Sequence, residues 1–375
     1  MTENEQIIQA IIRNRKEGIK AALATVVRVH GSAYRREGAK MLIDEKENVI
    51  GMVSGGCLEA DVAEVAKQVI SSGQPLLKTY DMDEDLVWGL GLGCPGTVDI
   101  YIEPVPLVQD TAFDLWLSCM IEEQPCVLAT ILQKEDGVSG RVFIPKKGAP
   151  AGEFPDSSVQ AHVITYTQQK MNEKNPKSES RTFIAETGRD IDIFIDVYTP
   201  PSEIIIFGAG HDAVPVAKYA VSLGWKTTVV DPRTYYNSEE RFPGTERILA
   251  DTAKFNDEVK IGSHTYVIIM NHHIERDRET LKYVLPSSAP YIGVLGPRKR
   301  RVRMLEAIED EGIHFTDEQL QRMHSPIGLD IGSETPEEIA ISIVAEIIAV
   351  QKGHEGGFLQ GSNYIHLGQA AANQS

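Results

Sequence analysis

Residues 203–215 read Glu-Ile-Ile-Ile-Phe-Gly-Ala-Gly-His-Asp-Ala-Val-Pro, and few folds can accept that run. Four apolar residues, Ile204 to Phe207, lead into Gly208-x-Gly210-x-x-Ala213. A helical pattern follows, and Asp231 closes the next apolar run, Lys226 to Val230. This is the dinucleotide-binding fingerprint in its context of strand, turn, helix and strand. Gly208 allows the tight exit from the strand. Gly210 lets a phosphate approach the backbone at the helix N-terminus, where amides and dipole favour an anion. Ala213, in place of a third glycine, still permits close helix–strand packing. Asp231 is placed to accept from ribose hydroxyls, and its charge favours NAD over NADP, although Arg233 works against that discrimination. The rival reading is a turn that needs glycine for sterics alone.

The fingerprint sits past the middle of a 375-residue chain, a length that suggests two domains. Thr199-Pro-Pro-Ser202 is the best linker, because two prolines stop any regular element. It divides an N-terminal domain, 1–199, from a nucleotide-binding domain, 203–352, and leaves an irregular Gly-, Gln- and Ala-rich tail, 353–375. In the second domain strands and helices alternate, which implies a Rossmann-like parallel sheet covered by helices. The first domain reads as mixed α+β, and no internal repeat is evident. A net charge of -17 argues against nucleic acid and anionic membranes as partners. No apolar run approaches the roughly 18 residues of a membrane span. Four cysteines without a CxxC form no disulfide framework, and a reduced, cytoplasmic setting is expected.

In the first domain, periodicity predicts helices over 6–15, 58–70 and 111–122. Strands are predicted over 20–30, 40–44, 49–53, 76–80, 98–104, 126–132, 141–144, 182–186 and 192–198. The polar run 168–180 is expected to be an exposed loop. Cys57 follows Gly55-Gly56 at the start of the 58–70 helix, where amides and dipole favour a thiolate that could act as nucleophile or soft-metal ligand. Cys94 follows a second glycine-rich run. Each can also be read as a small buried residue, while Cys119 and Cys126, in apolar surroundings, read as core. Downstream, Asn271-His272-His273 and the basic run from Arg298 to Arg303 follow predicted strand ends, where ligands bind in open α/β sheets. His211, His272 and His273 are candidates for proton transfer, and Arg298 for a phosphate or carboxylate. Packing or capping explains them as well. No metal-ligand spacing occurs on one helix.

Longer motifs carry a family resemblance. Gly31-Ser-x-x-Arg-Arg36, Gly38-Ala-Lys-Met-Leu-Ile-Asp44, Val53-Ser-Gly-Gly-Cys-Leu-Glu59 and Gly89-Leu-Gly-Leu-Gly-Cys94 resemble the XdhC/CoxI family. So do Phe207-Gly-Ala-Gly-His211, Val230-Asp-Pro-Arg233, Gly296-Pro-Arg-Lys-Arg300, His324-Ser-Pro-Ile-Gly-Leu-Asp-Ile-Gly332 and Thr335-Pro-Glu-Glu-Ile-Ala340. The resemblance implies an accessory factor of a molybdenum hydroxylase of the xanthine dehydrogenase type. Such a factor binds molybdenum cofactor, assists its sulfuration and delivers it to the apo-enzyme. The implied partners are that apo-hydroxylase and a cofactor-sulfurating enzyme, with a homodimer as the expected assembly. On this reading Gly55, Gly56 and Cys57 approach the sulfur- or metal-bearing end of the cofactor, with Cys57 a molybdenum contact. Gly208, Gly210, His211, Ala213, Asp231, Arg233 and Arg298 hold its nucleotide or pyrophosphate end, or NAD(P). Asn271-His272-His273 departs from the family's usual Thr-His. The rival class is an NAD(P)-dependent oxidoreductase, or a component of a xanthine dehydrogenase system, with Cys57 or His272 catalytic. The chain lacks the iron–sulfur cysteine spacing of such an enzyme.

Overall fold

The structure, a computed structural model, describes residues 2–31, 33–81, 96–132, 139–173 and 175–360. They fall into two compact units, Met1–Pro200 and Pro201–Ser375. Among the described residues no helix is long and apolar enough to cross a membrane.

The first unit begins with α1 (Glu3–Glu17), β1 (Ala21–Gly31), β2 (Lys40–Asp44), β3 (Val49–Gly51), α2 (Glu59–Ser72), β4 (Leu76–Asp81) and β5 (Gly96–Pro104). It continues with α3 (Thr111–Ile121), β6 (Cys126–Ile131), β7 (Arg141–Pro145), β8 (Ala151–Glu153), α4 (Ser157–Lys170), β9 (Glu179–Ile184) and β10 (Asp190–Tyr198). The second series repeats the first. One five-stranded antiparallel sheet has the order β3-β2-β1-β5-β4 and the other β8-β7-β6-β10-β9. The absence of a repeat in the sequence is therefore corrected by the topology.

The repeat extends to chemistry. Gly51 and Gly152 both have positive φ, +83° and +91°, and a Cβ on either would meet the carbonyl oxygen of Lys40 or Arg141 at 2.4 Å. The first residue of β2, Lys40, reaches Asp196 of the other sheet at 2.8 Å. Its counterpart at the start of β7, Arg141, reaches back to Glu103 at 2.6 Å. Glu103 and Asp196 occupy matching register positions, opposite Leu23 and Leu128. Burial works against the Arg141 charge, but Glu103 and then Asp110 more than offset it and raise its pKa. The two ion pairs thus exchange partners reciprocally between the repeats. One apolar cluster joins both sheets through Leu23 and Leu42 of the first, Leu128 and Phe143 of the second, and Ile7, Ile11, Phe113 and Trp116 of α1 and α3. Helices α2 and α4 cover the outer faces, through Val62 and Val69 in one case and Val159 and Val163 in the other.

Helix α4 was not expected. Its buried stripe is one residue per turn, Val159, Val163, Thr167 and Lys170. Its β-branched residues weaken the helical signal. The expected loop at 168–180 is trimmed accordingly, since Lys170 still belongs to α4 and Glu179 to β9.

The second unit contains β11 (Glu203–Phe207), α5 (Ala213–Ser222), β12 (Lys226–Val230), β13 (Glu246–Ile248), α6 (Phe255–Glu258), β14 (Thr265–Ile269) and α7 (Ile274–Val284). It ends with β15 (Tyr291–Val294), α8 (Arg298–Asp310), α9 (Asp317–Gln321), β16 (Met323–His324) and α10 (Pro336–Lys352). All pairings are parallel, in the order β13-β12-β11-β14-β15-β16. Strand β11 shows why both faces must be covered. Ile204 and Ile206 point into a cluster with α5 and α10, while Ile205 and Phe207 point into one with α7 and α8. Strand order reverses direction between β11 and β14, and the crevice outside their carboxyl ends is where such sheets bind ligands.

Candidate cofactor sites at the glycine and thiol turns

The carboxyl end of β11 turns sharply because Gly208 adopts φ +112°. A Cβ there would lie 2.5 Å from the carbonyl oxygen of Met270 on the neighbouring strand end. Asp231, at the end of β12, is only 1% exposed. One oxygen accepts the Ala209 amide at 2.9 Å. Arg233 grips both oxygens, Nε at 2.9 Å and the terminal nitrogen at 2.6 Å, and its own amide adds a third bond at 2.9 Å. Burial would raise the Asp231 pKa, but these bonds, led by the Arg233 side chain, hold it below the ordinary value. Arg241, which sequence reasoning missed, binds the carbonyl oxygens of Ala209 at 2.9 Å and Gly210 at 3.1 Å. Tyr236 lies between two cations, with Arg233 4.4 Å and Arg241 5.2 Å from its ring centre. The His211 ring meets Tyr236 edge-on at 6.2 Å.

Across the crevice, His272 has φ +57° and pairs through Nε2 with Asp212, at 2.8 Å and 2.9 Å from its two oxygens. A left-handed conformation costs a non-glycine residue about 1–2 kcal/mol, so this contact holds the ring against a backbone preference. Asn271 instead binds Asp277, which also receives Arg300 at 2.5 Å. Gly296 leaves room for this, since a Cβ on it would meet Arg300 Cδ at 2.8 Å. Arg298 is exposed at the start of α8, on the same edge of the sheet. Gly208, Gly210, His211, Ala213, Asp231, Arg233 and His272 are therefore brought together, with Arg298 two strands away.

A second polar cluster links β15, β16 and α10. Glu346 of α10 accepts the Tyr291 hydroxyl at 2.5 Å, the Gly328 amide at 2.7 Å and His324 Nδ1 at 3.0 Å. Burial would raise the Glu346 pKa, but the bonds from His324, Tyr291 and Gly328 outweigh it and leave it below 4.5. A carboxylate depressed in the folded state stabilises above its unfolded pKa, and that stability is lost as pH falls through the folded value. Acidification below pH 4.5 should therefore weaken the second unit. Glu346→Gln should be less stable at neutral pH, and its thermal midpoint should vary less between pH 6 and the acid transition. Calorimetry at stepped pH checks this.

In the first unit, the thiol turn joins β3 to α2. Ser54 is buried, and its hydroxyl gathers the amides of Gly56, Cys57 and Leu58 at 3.0–3.2 Å. It donates to Glu59 at 2.6 Å, and Glu59 also takes the Ser54 amide at 2.7 Å. Burial would raise the Glu59 pKa, yet the bonds from Ser54 lower it. Cys57 is exposed, two residues before the first residue of α2. Gly56 is required by φ +107°, and the space beside it is open. Gly55 leaves room for the Tyr34 ring, 3.4 Å from where its Cβ would stand. Glu59 was visible in the motif, but its role as the turn's anchor was not. Cys94 and its glycine-rich run lie outside the described residues.

The second repeat supplies an internal comparison. Eight positions separate Gly51 from the start of α2 at Glu59, but five separate Gly152 from the start of α4 at Ser157. Fifteen separate Thr25 from its strand partner Lys40, but eleven separate Thr130 from Arg141. Both longer connections leave the same end of the first sheet, and they meet where Tyr34 lies against Gly55. The second repeat closes its matching connection with Pro155 and Asp156.

The profile described as the XdhC Rossmann domain matches residues 204–347, and that of the XdhC and CoxI family matches residues 15–81. The chain is 31% identical to a probable xanthine dehydrogenase subunit of Bacillus subtilis, over 92% of this chain and 97% of that protein. It is 22% identical to the molybdenum cofactor insertion chaperone PaoD of Escherichia coli, over 94% of this chain and 90% of that protein. A crystal structure of a xanthine dehydrogenase from Bacillus halodurans superposes with a TM-score of 0.73 at 29% identity, covering 97% of this chain and 100% of that one. Sequence and fold agree along nearly the whole length, and the chain belongs to the XdhC and CoxI family.

Proposed function

We propose that this protein is a maturation factor for a molybdenum hydroxylase of the xanthine dehydrogenase type, binding molybdenum cofactor and handing it to the apo-enzyme. The observation that carries this reading is the thiol turn. The first repeat adds three residues to this connection relative to the second, holds them on a Ser54–Glu59 scaffold and presents an exposed thiol. A stability argument alone does not account for the extra length, because the second repeat makes the same sheet and helix without it.

The residues present fit such a cargo. The space beside Gly56 is open, so a sulfur- or metal-bearing group can reach Cys57. Among the described residues no group of three or more His, Cys, Asp or Glu could hold a metal ion. On this reading the metal arrives within the cofactor, whose reactive chemistry is used in the client enzyme. The glycine turn of the second unit, taken by itself, would bind a phosphate. Asp231 is already engaged by Arg233 and Ala209, which favours a handle for phosphate over recognition of an NAD ribose. Named relatives of both kinds, a cofactor insertion chaperone and a xanthine dehydrogenase component, support the same reading. A cofactor-sulfurating enzyme as second partner, a homodimer and a cytoplasmic location complete the proposal. The test is the pterin content of protein purified from cells that make the cofactor, with Cys57→Ala as the site control.

A further inference from the structure

The second glycine of a dinucleotide fingerprint normally leaves room for a pyrophosphate against the backbone. In this protein that room is taken by the chain's own side chains. A Cβ on Gly210 would meet Asp212 Oδ1 at 2.6 Å and the His272 ring at 3.2 Å and 3.3 Å. Asp212 is the N-cap of α5, yet its carboxylate makes no capping bond to the helix. It turns instead to His272 Nε2, at 2.8 Å and 2.9 Å. His272 in turn leaves its preferred backbone region, at φ +57°, while its ring stays 57% exposed. The two residues come from the loops after β11 and β14, so they meet at the topological switch point itself.

We propose that Asp212 and His272 form a latch over the glycine turn. With the pair closed, a carboxylate stands where a phosphate would bind and opposes its charge. A phosphate-bearing ligand enters when His272 leaves Asp212 and turns its ring toward the phosphate. Release of the ligand lets the pair re-form. A carrier must surrender its cargo, and a handle that closes on itself makes that release easier. Asp212 is thus the group that opposes phosphate at the turn, and His272 is the group that closes the pair and, once released, meets the phosphate. This inference rests on reading the turn as the phosphate handle of the cofactor.

Calorimetric titration of the full-length protein with ADP-ribose, which carries a pyrophosphate and a ribose, tests it. Asp212→Asn keeps the shape and removes the opposing charge, so its affinity should rise about tenfold. His272→Ala removes the ring that turns toward the phosphate in the open state, so its affinity should fall. The Asp212 side chain is 17% exposed and that of His272 57%; Asp212→Asn should keep the wild-type unfolding midpoint, and thermal unfolding of His272→Ala establishes that it is folded at the titration temperature. If the wild type binds ADP-ribose and Asp212→Asn binds it no more tightly, the latch is wrong and the handle stands. If neither protein binds ADP-ribose, the handle reading fails and the latch falls with it.

Discussion

Replacing Lys40 by alanine should destabilise the first unit by about 3–5 kcal/mol, the range for leaving one partner of a buried ion pair uncompensated. The Lys40 amine contacts Asp196 at 2.8 Å and 2.9 Å and the Gly38 carbonyl at 3.1 Å. Both side chains are nearly inaccessible, at 7% and 10% exposure. Among the described residues, the partner left to Asp196 without the amine is the Ser178 hydroxyl at 3.4 Å, too little to replace solvation of a carboxylate. The double variant Lys40→Met/Asp196→Leu should recover most of the loss, because an apolar pair of similar volume needs no desolvated charge. Urea unfolding of the three proteins decides the matter. A loss under about 1 kcal/mol in Lys40→Ala would place the pair in the class of weak surface bridges and remove the cross-repeat exchange from the account of stability.

Gly208→Ala should cost about 2–5 kcal/mol, combining the left-handed penalty with overpacking. The added Cβ would sit 2.5 Å, 2.7 Å and 2.9 Å from Met270 O, Met270 C and Asn271 Cα, all backbone atoms of the adjacent strand end. None of them can move without displacing β14. Gly210→Ala offers the contrast. Its Cβ would meet the carboxylate of Asp212 and the ring of His272, which are ends of side chains and can swing away. That variant should fold with a loss of about 1 kcal/mol or less. The two glycines of one motif therefore separate into one that holds the sheet together and one that sets what can approach the turn. Equal losses in both variants would erase this distinction.

The second unit was legible because its fingerprint is local. Strand, turn, helix and acid lie within thirty residues, and each carries its own signal. The repeat in the first unit was not legible, because its halves share geometry and little identity. Lys40 corresponds to Arg141 and Glu103 to Asp196, and the matching connections differ in length. Arg241 reaches Ala209 from 32 positions away, and no spacing rule announces such a contact. Asp231 was readable as an acid at the right distance, while its capture by Arg233 depends on a backbone turn that only the structure displays. Glu59 lay inside a recognised motif, but its bonds to Ser54 depend on how the turn folds back.

The most direct measurement is made on protein purified from cells that produce molybdenum cofactor, with the pterin released on denaturation quantified against protein. Cofactor binding at the thiol turn predicts pterin approaching one per chain in the wild type. It also predicts a large loss in Cys57→Ala with unfolding stability unchanged, since Cys57 is exposed. Wild-type protein that carries no pterin, or a Cys57→Ala variant that carries as much as the wild type, would contradict it.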